Sequence, residues 1–244
     1  MALCNLHHFS PSLRKMTAMN IILPEQINGR LPVYYLLHGL SDDYSAWQHR
    51  TSIERYAQHL PLIVVMPDGG RYWYCDGVDG PRYESYLIKD LIPYIDSVLP
   101  TRAERAGRAI GGLSMGGYGA IKLALKFPEL FVSANGHSGA YDIACLPERA
   151  RDIPEYRCVF GENPVGGAND VFASAARLDR AQAPALRIDC GTDDFLIEAN
   201  RRFHAHLNTL GIAHEYEEFP GAHTWEYWDT HVQDALAFHM RHLA

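Results

Sequence analysis

The chain has 244 residues, a formal net charge of -7 at pH 7 and 47% hydrophobic residues. This length and apolar content suffice for a large buried core, and we expect one domain spanning residues 1–244. The acidic balance, without any lysine- or arginine-rich run, argues against a nucleic-acid partner and against an anionic membrane surface. The composition therefore favours a small, neutral or modestly polar molecule as the partner.

The sequence indicates neither a membrane span nor a disulfide framework. No apolar stretch approaches the about 20 residues needed to cross a bilayer, and the opening residues lack the apolar core of a signal peptide. The five cysteines are scattered and odd in number, which favours reduced thiols. We therefore expect a cytoplasmic protein without a membrane partner, and the sequence leaves open whether it forms a homo-oligomer.

Hydrophobic patterning predicts eight strands, with helices alternating between them from residue 33 onward. The strands are expected at residues 2–10, 17–23, 33–37, 62–66, 109–113, 131–135, 186–190 and 214–219. The helices are expected at residues 53–59, 83–98, 118–127, 198–210 and 230–243. Alternating strands and helices predict an α/β fold with a mostly parallel central sheet covered on both faces. The first two strands are expected to form an antiparallel N-terminal hairpin.

Residues 141–178 interrupt this alternation. Three prolines, Pro147, Pro154 and Pro164, together with the pair Gly166-Gly167, break the stretch into short pieces between two predicted strands. Loops at the carboxyl ends of parallel strands border the ligand crevice of open α/β sheets. The stretch is therefore either a pocket-shaping insertion or an inert surface excursion.

The segment Gly112-Leu113-Ser114-Met115-Gly116 lies directly after a predicted buried strand and before a predicted helix. This is the layout of a nucleophile elbow, a tight strand-to-helix turn that exposes a serine hydroxyl above the sheet. Small residues on both sides of the serine let the strand and the helix approach closely. The order of strand, turn and helix indicates that Ser114 is a catalytic nucleophile.

A serine nucleophile needs a histidine base that is itself oriented by an acid. In folds built around such an elbow, the acid and then the histidine follow the serine along the chain. The predicted strand at 186–190 runs into Asp193 and Asp194, of which we favour Asp194, although helix capping also explains both. His223 lies in the loop after the last predicted strand, from which its ring can reach the serine.

Acyl transfer also requires backbone donors for a tetrahedral oxyanion. One is normally the N–H of the residue after the nucleophile, here Met115, and a second comes from an earlier strand-to-helix loop. Gly39 lets the backbone turn after the strand at 33–37, so that the N–H of Leu40 can face the serine. His38 is then expected to brace this loop and not to act as the base.

Two aromatic residues, Trp73 and Trp225, are candidates for the wall of a substrate pocket, and ordinary packing beneath loops explains them equally well. The 13 histidines offer no convincing metal set. Pairs within predicted helices either lie on different faces or lack a nearby cysteine or carboxylate. We therefore expect no metal and no cofactor.

Five blocks in chain order resemble the esterase D-like branch of the α/β-hydrolases: LLHGLSDDYSAW, VVMPDGGRYWY, GGLSMGGYGA, CGTDDFL and PGAHTWEYW. This branch includes tributyrin esterases, S-formylglutathione hydrolases and feruloyl or acetylxylan esterases. The resemblance covers nearly the whole chain and implies an α/β-hydrolase fold. It also implies Ser114 as nucleophile, Asp194 as acid and His223 as base, with Leu40 and Met115 as oxyanion donors.

Within this branch, the opening residues look most like the compact tributyrin-esterase group of short-chain carboxylesterases. S-formylglutathione hydrolases usually carry Ser-Gly-Leu-Thr-Cys where residues 38–42 of this chain are His-Gly-Leu-Ser-Asp, which counts against a glutathione thioester substrate. We therefore expect a serine carboxylesterase that hydrolyses short-chain acyl esters through an acyl-enzyme. A thioesterase, a feruloyl or acetylxylan esterase and an acyltransferase are the catalytic alternatives, and a hydrolase-fold binding protein without chemistry is the alternative of another class.

Overall fold

The structure is a computed structural model that describes residues 1–243, the side chain of residue 149 excepted. One eight-stranded sheet runs through these residues, in the order β1-β2-β4-β3-β5-β6-β7-β8. The two N-terminal strands pair antiparallel, β2 pairs antiparallel with β4, and the other neighbours are parallel. The strands are β1 Ala2–Ser10, β2 Lys15–Leu23, β3 Val33–Leu37, β4 Ile63–Pro67, β5 Arg108–Leu113, β6 Ser133–His137, β7 Ala185–Gly191 and β8 Glu215–Phe219.

Helices connect the strands from β3 onward. They are α1 Ala46–Arg50, α2 Ile53–Ala57, α3 Tyr83–Ser85, α4 Ile92–Val98, α5 Met115–Lys126, α6 Glu148–Arg151, α7 Pro154–Phe160, α8 Val171–Arg177, α9 Ile197–Leu210 and α10 Trp225–His242. A π-helical turn at Tyr86–Leu91 joins α3 to α4, and 3-10 turns lie at Ile143–Cys145 and at two further positions. No helix within residues 1–243 is long and apolar enough to span a bilayer.

Both faces of the sheet are covered at its central strands, as β3 shows most clearly. Every residue of β3 is buried, and successive side chains of a strand point to opposite faces. Tyr35 belongs to one buried apolar cluster, together with Phe203 of α9, whereas Leu36 belongs to a second cluster, together with Val232 of α10. The predicted α/β architecture with an antiparallel N-terminal hairpin is therefore confirmed.

Several element bounds differ from the predicted ones. The predicted helix at 83–98 contains the π-helical turn, and the last helix begins at Trp225 instead of residue 230. The strand predicted at 131–135 lies at Ser133–His137. Its polar residues Asn135 and His137 are buried and hydrogen-bonded inside the sheet, and an apolar pattern cannot identify strand residues of this kind.

Five neighbouring strands, β3, β5, β6, β7 and β8, run parallel, so their carboxyl ends meet at one edge of the sheet. The loops that leave this edge contain Leu40, Ser114, Asp194 and His223. The topology therefore brings together residues that are far apart along the chain, at the edge where open α/β sheets bind ligands.

Candidate active site

Ser114 occupies the tight turn between β5 and α5, with φ 52° and ψ -114°. Positive φ is strained for a residue with a side chain, and such strain occurs mainly at functional sites. The turn is possible because a glycine lies on each side of it. A Cβ atom would lie 2.6 Å from the Leu37 carbonyl oxygen if added to Gly112, and 2.5 Å from the same oxygen if added to Gly116.

The predicted acid, base and nucleophile form one hydrogen-bonded chain. The Nε2 atom of His223 lies 3.0 Å from the Ser114 Oγ, and its Nδ1 atom lies 2.8 Å and 3.1 Å from the two carboxylate oxygens of Asp194. A carboxylate only accepts hydrogen bonds, so the Nδ1–H of His223 donates to Asp194. Nε2 is then left to accept the proton of the serine hydroxyl. Asp193, the alternative acid, is exposed on the same turn.

Neighbouring groups hold the acid and the base in this arrangement. Asp194 is 2% exposed, and its Oδ1 also accepts the Leu196 N–H at 2.8 Å. The His223 ring lies edge-on to Trp228, with ring centres 4.8 Å apart. The Trp228 Nε1–H in turn donates to the Ser138 hydroxyl at 3.2 Å. These contacts hold the imidazole facing the serine.

The first candidate oxyanion donor is the Leu40 N–H, and hydrogen bonds to the Gly39 carbonyl orient the peptide group to which it belongs. The Gly39 carbonyl is 2.8 Å from Nδ1 of His38 and accepts the Asp42 N–H at 3.3 Å. In a trans peptide, the C=O and the following N–H point in opposite directions, so these bonds direct the Leu40 N–H away from His38 and Asp42. Leu40 and Ser114 line the same cavity.

His38 is a brace of this loop, as the sequence predicts. Its Nε2 atom accepts the Gly69 N–H at 2.8 Å, and Nδ1–H is therefore the proton that is donated to the Gly39 carbonyl. Its backbone carbonyl accepts the Tyr74 hydroxyl at 2.9 Å. With both ring nitrogens engaged and the ring buried, His38 is not available as a catalytic base.

The second candidate donor is the N–H of Met115, the first residue of α5. The first N–H groups of a helix have no partner within the helix, and the helix dipole favours negative charge at this end. Met115 lines the same cavity as Ser114. Both residues predicted as donors therefore line the cavity over Ser114.

A cavity of about 290 Å³ opens over Ser114 and His223. Its wall is mainly apolar, with two polar residues, Ser41 and Arg71, at one side. The apolar lining consists of Leu40, Trp73, Met115, Ala140, Leu146, Pro147, Ala150, Ile153, Phe195 and Leu196. Four of these residues, Leu146, Pro147, Ala150 and Ile153, come from the proline-rich stretch at 141–178.

The two aromatic candidates differ in their placement. Trp73 lines the cavity, although it is also packed edge-on against Tyr118 in the core. Trp225 is not among the lining residues, because it packs between Trp47 and Trp228, with ring centres 5.4 Å and 5.3 Å away. The contacts of Trp225 therefore match the interpretation that it is an ordinary packing residue.

The sequence did not identify Ser41, Arg71 or the wall residues between Leu146 and Ile153 individually. The available signals were the position of Arg71 in the loop after a buried strand and the concentration of prolines at 141–178. Within the described residues, no group of three or more histidine, cysteine or acidic side chains could hold a metal ion. The hydrogen-bonded chain of Asp194, His223 and Ser114 supports nucleophilic and acid–base chemistry by the protein's own groups.

A second histidine–aspartate pair lies buried beneath the elbow. Asn135 Oδ1 accepts hydrogen bonds from the Tyr34 hydroxyl at 2.7 Å and from Nε2 of His239 at 2.9 Å. Its Nδ2 group then donates to Nε2 of His137 at 3.0 Å, which leaves the His137 Nδ1–H to donate to Asp189 at 2.9 Å. Burial holds the pKa of His239 well below its usual range, so this ring is neutral.

This buried network supports the active site through the backbone. The His137 carbonyl accepts the Ser114 N–H at 2.9 Å, and the Asp189 carbonyl accepts the Ser138 N–H at 2.7 Å. The Asp189 side chain also accepts the Tyr227 hydroxyl at 3.1 Å, at the start of α10. The strand ends that carry the serine and the acid are thus tied to the helix that follows the histidine.

Comparisons with known proteins find esterases and other serine hydrolases. The model of the family described as "Putative esterase" matches residues 10–239. An acetyl esterase of Caldicellulosiruptor saccharolyticus is 31% identical over 258 residues, covering 97% of this chain and 97% of that protein.

Two solved structures from Staphylococcus aureus share the fold along almost the full chain. The fluorophosphonate-binding serine hydrolase F, FphF, has a TM-score of 0.89 at 29% identity and covers 98% of both chains. The S-formylglutathione hydrolase FrmB has a TM-score of 0.87 at 28% identity, again with 98% of both chains covered.

The fold and these similarities show that the protein is an α/β-hydrolase and a carboxylic ester hydrolase. The chain belongs to the esterase family whose model it matches, and the resemblance to the esterase D-like branch is confirmed.

Proposed function

We propose that this chain is a serine carboxylesterase that hydrolyses short-chain acyl esters, with Ser114 as nucleophile, His223 as base and Asp194 as acid. The observation that carries the proposal is the continuous hydrogen-bonded chain from Asp194 through His223 to Ser114, ending in an apolar cavity. A surface serine outside such a chain is a poor nucleophile at neutral pH.

In the first half of the reaction, Ser114 Oγ attacks the acyl carbonyl while Nε2 of His223 takes its proton. The charged imidazole is stabilised by the Asp194 carboxylate and then protonates the leaving alcohol. In the second half, His223 takes a proton from water, which attacks the acyl-enzyme. The proton returns to Ser114, and the carboxylic acid leaves.

The N–H groups of Leu40 and Met115 stabilise the tetrahedral oxyanion in both halves. Each donor of this kind lowers the barrier by about 3 kcal/mol in enzymes where one has been removed. The Gly39 carbonyl is fixed by two hydrogen bonds, and Met115 begins a helix. Neither donor therefore has to reorganise during the reaction.

Cavity size and lining support a small acyl group. The volume of about 290 Å³ lies at the lower end of ligand pockets, and its walls are mostly aliphatic and aromatic. A relative of nearly the same length is named acetyl esterase. An acetyl to butyryl group is therefore the acyl class that we propose, and Trp73 contributes to its pocket.

Hydrolysis of S-formylglutathione is the second candidate, because a structural neighbour at 28% identity carries that name. Residues 38–42 of this chain differ from the sequence that such hydrolases usually carry at this loop, which counts against this candidate. A feruloyl ester is a third candidate, and acetylated xylan falls within the acetyl class. A substrate comparison separates these candidates.

We further propose that residues 1–244 form one catalytic domain in which the stretch at 141–178 shapes the pocket. Support comes from Leu146, Pro147 and Ile153, which line the cavity together with Ser114. The scattered cysteines, all free, support a cytoplasmic location, and a small ester is the proposed partner.

The test is a substrate panel at matched concentrations with the purified chain. It contains p-nitrophenyl acetate, butyrate, hexanoate and octanoate, together with methyl ferulate, acetylated xylan and S-formylglutathione. We expect the highest kcat/KM for p-nitrophenyl acetate or butyrate, a decline toward octanoate, and no turnover by Ser114→Ala. A preference for S-formylglutathione or methyl ferulate would reject the proposed substrate class. Full activity of Ser114→Ala would reject the mechanism.

A further inference from the structure

Arg71 joins two parts of the active site that are otherwise separate, and this inference builds on the proposed function. Its Nη1 donates to the Ser41 hydroxyl at 3.0 Å, and its Nε donates to Oε1 of Glu155 at 3.0 Å. Ser41 directly follows the oxyanion donor Leu40, whereas Glu155 lies in the first turn of α7. One guanidinium thus bridges the oxyanion loop and the segment that walls the cavity.

The oxyanion loop requires such support at Ser41. This residue has φ 77°, a conformation that costs energy in a residue with a side chain. The loop that follows β4 contacts the oxyanion loop at two buried points. The Gly69 N–H donates to the His38 ring, and the Tyr74 hydroxyl donates to the His38 carbonyl. Arg71 belongs to the same loop and provides a third point, on the far side of Leu40.

The other end of the bridge reaches the acyl-binding wall. Glu155 follows Ile153 and belongs to the same short stretch as Leu146 and Pro147, which line the cavity beside the serine. An acyl chain in the cavity packs against this wall. Glu155 is ion-paired with Arg71, and Arg71 is hydrogen-bonded to Ser41. A shift of the wall therefore affects Ser41 and, through it, the neighbouring Leu40 peptide.

We propose that Arg71 is a positioning residue that couples the acyl-binding wall to the oxyanion donor at Leu40. Arg71 does not contact the reacting atoms in this role. It holds Ser41 in its strained conformation, and Glu155 holds Arg71 in reach of Ser41. Because a small misplacement of a catalytic group costs rate more than affinity for the ground state, the coupling acts on kcat.

The test measures kcat and KM separately for p-nitrophenyl acetate and butyrate. For Arg71→Met we expect kcat to fall about tenfold, less than the loss on removal of a whole oxyanion donor, while KM changes by less than about twofold. Ser41→Ala removes the other partner at an exposed position and should lower kcat in the same way, even if Arg71→Met folds poorly. Arg201→Met is the matched control, because Arg201 is also exposed and ion-paired, with Glu198 and Glu218, but lies outside the cavity lining.

A double-mutant cycle tests the link to the wall. If Glu155 acts through Arg71, Glu155→Ala lowers kcat in the wild-type background but has no further effect when combined with Arg71→Met. Additive effects would overturn the coupling. An Arg71→Met variant with raised KM and unchanged kcat would also overturn it, because Arg71 would then bind substrate directly. Wild-type enzyme without turnover of either ester would reject the proposed function instead, so the two failures are distinguishable.

Discussion

At the scale of single residues, the site depends on a serine held in an unfavourable backbone conformation. Three main-chain hydrogen bonds anchor it: the Ser114 N–H donates to the His137 carbonyl at 2.9 Å, and the Ser114 carbonyl accepts the Tyr118 N–H at 3.0 Å and the Ala140 N–H at 3.2 Å. The surrounding backbone therefore offsets the local strain, which is about 1–3 kcal/mol per strained residue. The hydroxyl remains directed at His223.

Gly116, two residues after this serine, is a position that we expect to tolerate substitution poorly. In Gly116→Ala, the new methyl group would lie 2.5 Å from the Leu37 carbonyl and 2.6 Å from the His38 carbonyl, so α5 must move away from β3. We expect a loss of about 1–3 kcal/mol in the free energy of unfolding. Because α5 carries Met115, kcat should fall as well.

Denaturant unfolding and ester hydrolysis measure these two effects. Gly167→Ala is the control, since an added Cβ there meets only the Pro164 carbonyl, at 3.3 Å. Equal stability and equal kcat for the two variants would contradict the close approach of α5 to β3.

At the scale of elements, the functional groups sit on loops that leave the carboxyl ends of parallel strands, and the sequence predicts this arrangement well. The eight strands and the elbow could be found because apolar runs, glycines and turn residues report local structure. The start of α10 at Trp225 could not be found this way. It depends on tertiary contacts of its first turn, in which Tyr227 bonds to Asp189 and Trp228 bonds to Ser138.

The cavity wall is the part of the site that the sequence predicted least. Prolines marked the stretch at 141–178 as irregular, but the contribution of Ile153 or Leu146 depends on how α6 and α7 pack over the sheet. Arg71 illustrates the same point, since its two partners are 30 residues before it and 84 residues after it. Pairings at such separation leave no periodic signal in one sequence.

Shortening a wall residue should change acyl-chain preference. Ile153→Ala enlarges the cavity on the side of α7, so we expect kcat/KM for p-nitrophenyl hexanoate to rise relative to acetate by about 3- to 10-fold. The ratio of the two rates, measured on one preparation, is independent of the active fraction. Ile27→Ala serves as the control, because Ile27 is exposed and outside the cavity. An unchanged ratio in Ile153→Ala would show that α7 does not limit the acyl group.

At the scale of the complete fold, the buried polar network that contains His239 links the free energy of unfolding to pH. Burial keeps the pKa of His239 well below its usual range, and the positive charge of Arg187 acts in the same direction. The unfolded chain then binds a proton at His239 that the folded protein excludes. Its contribution to stability is therefore complete above about pH 6.5 and is lost as the pH falls toward the lowered folded-state pKa.

Thermal unfolding of His239→Gln tests this linkage. The variant should be less stable near neutral pH, because the ring accepts from Ser133 at 2.8 Å and donates to Asn135 at 2.9 Å. Its midpoint should nevertheless fall less steeply than that of the wild type between about pH 7.5 and about pH 5.5. Uptake of one proton on unfolding changes the free energy of unfolding by at most about 1.4 kcal/mol per pH unit. Parallel pH profiles would contradict a neutral, buried His239.

The proposed mechanism depends on Ser114, activated by His223, as the nucleophile of this esterase. A fluorophosphonate probe forms a covalent bond with an activated serine, and peptide mass spectrometry locates the modified residue. We predict a single adduct on Ser114 in the wild type, with labelling abolished in Ser114→Ala and strongly slowed in His223→Ala. An adduct on another serine, or equally fast labelling of the His223→Ala variant, would contradict the account.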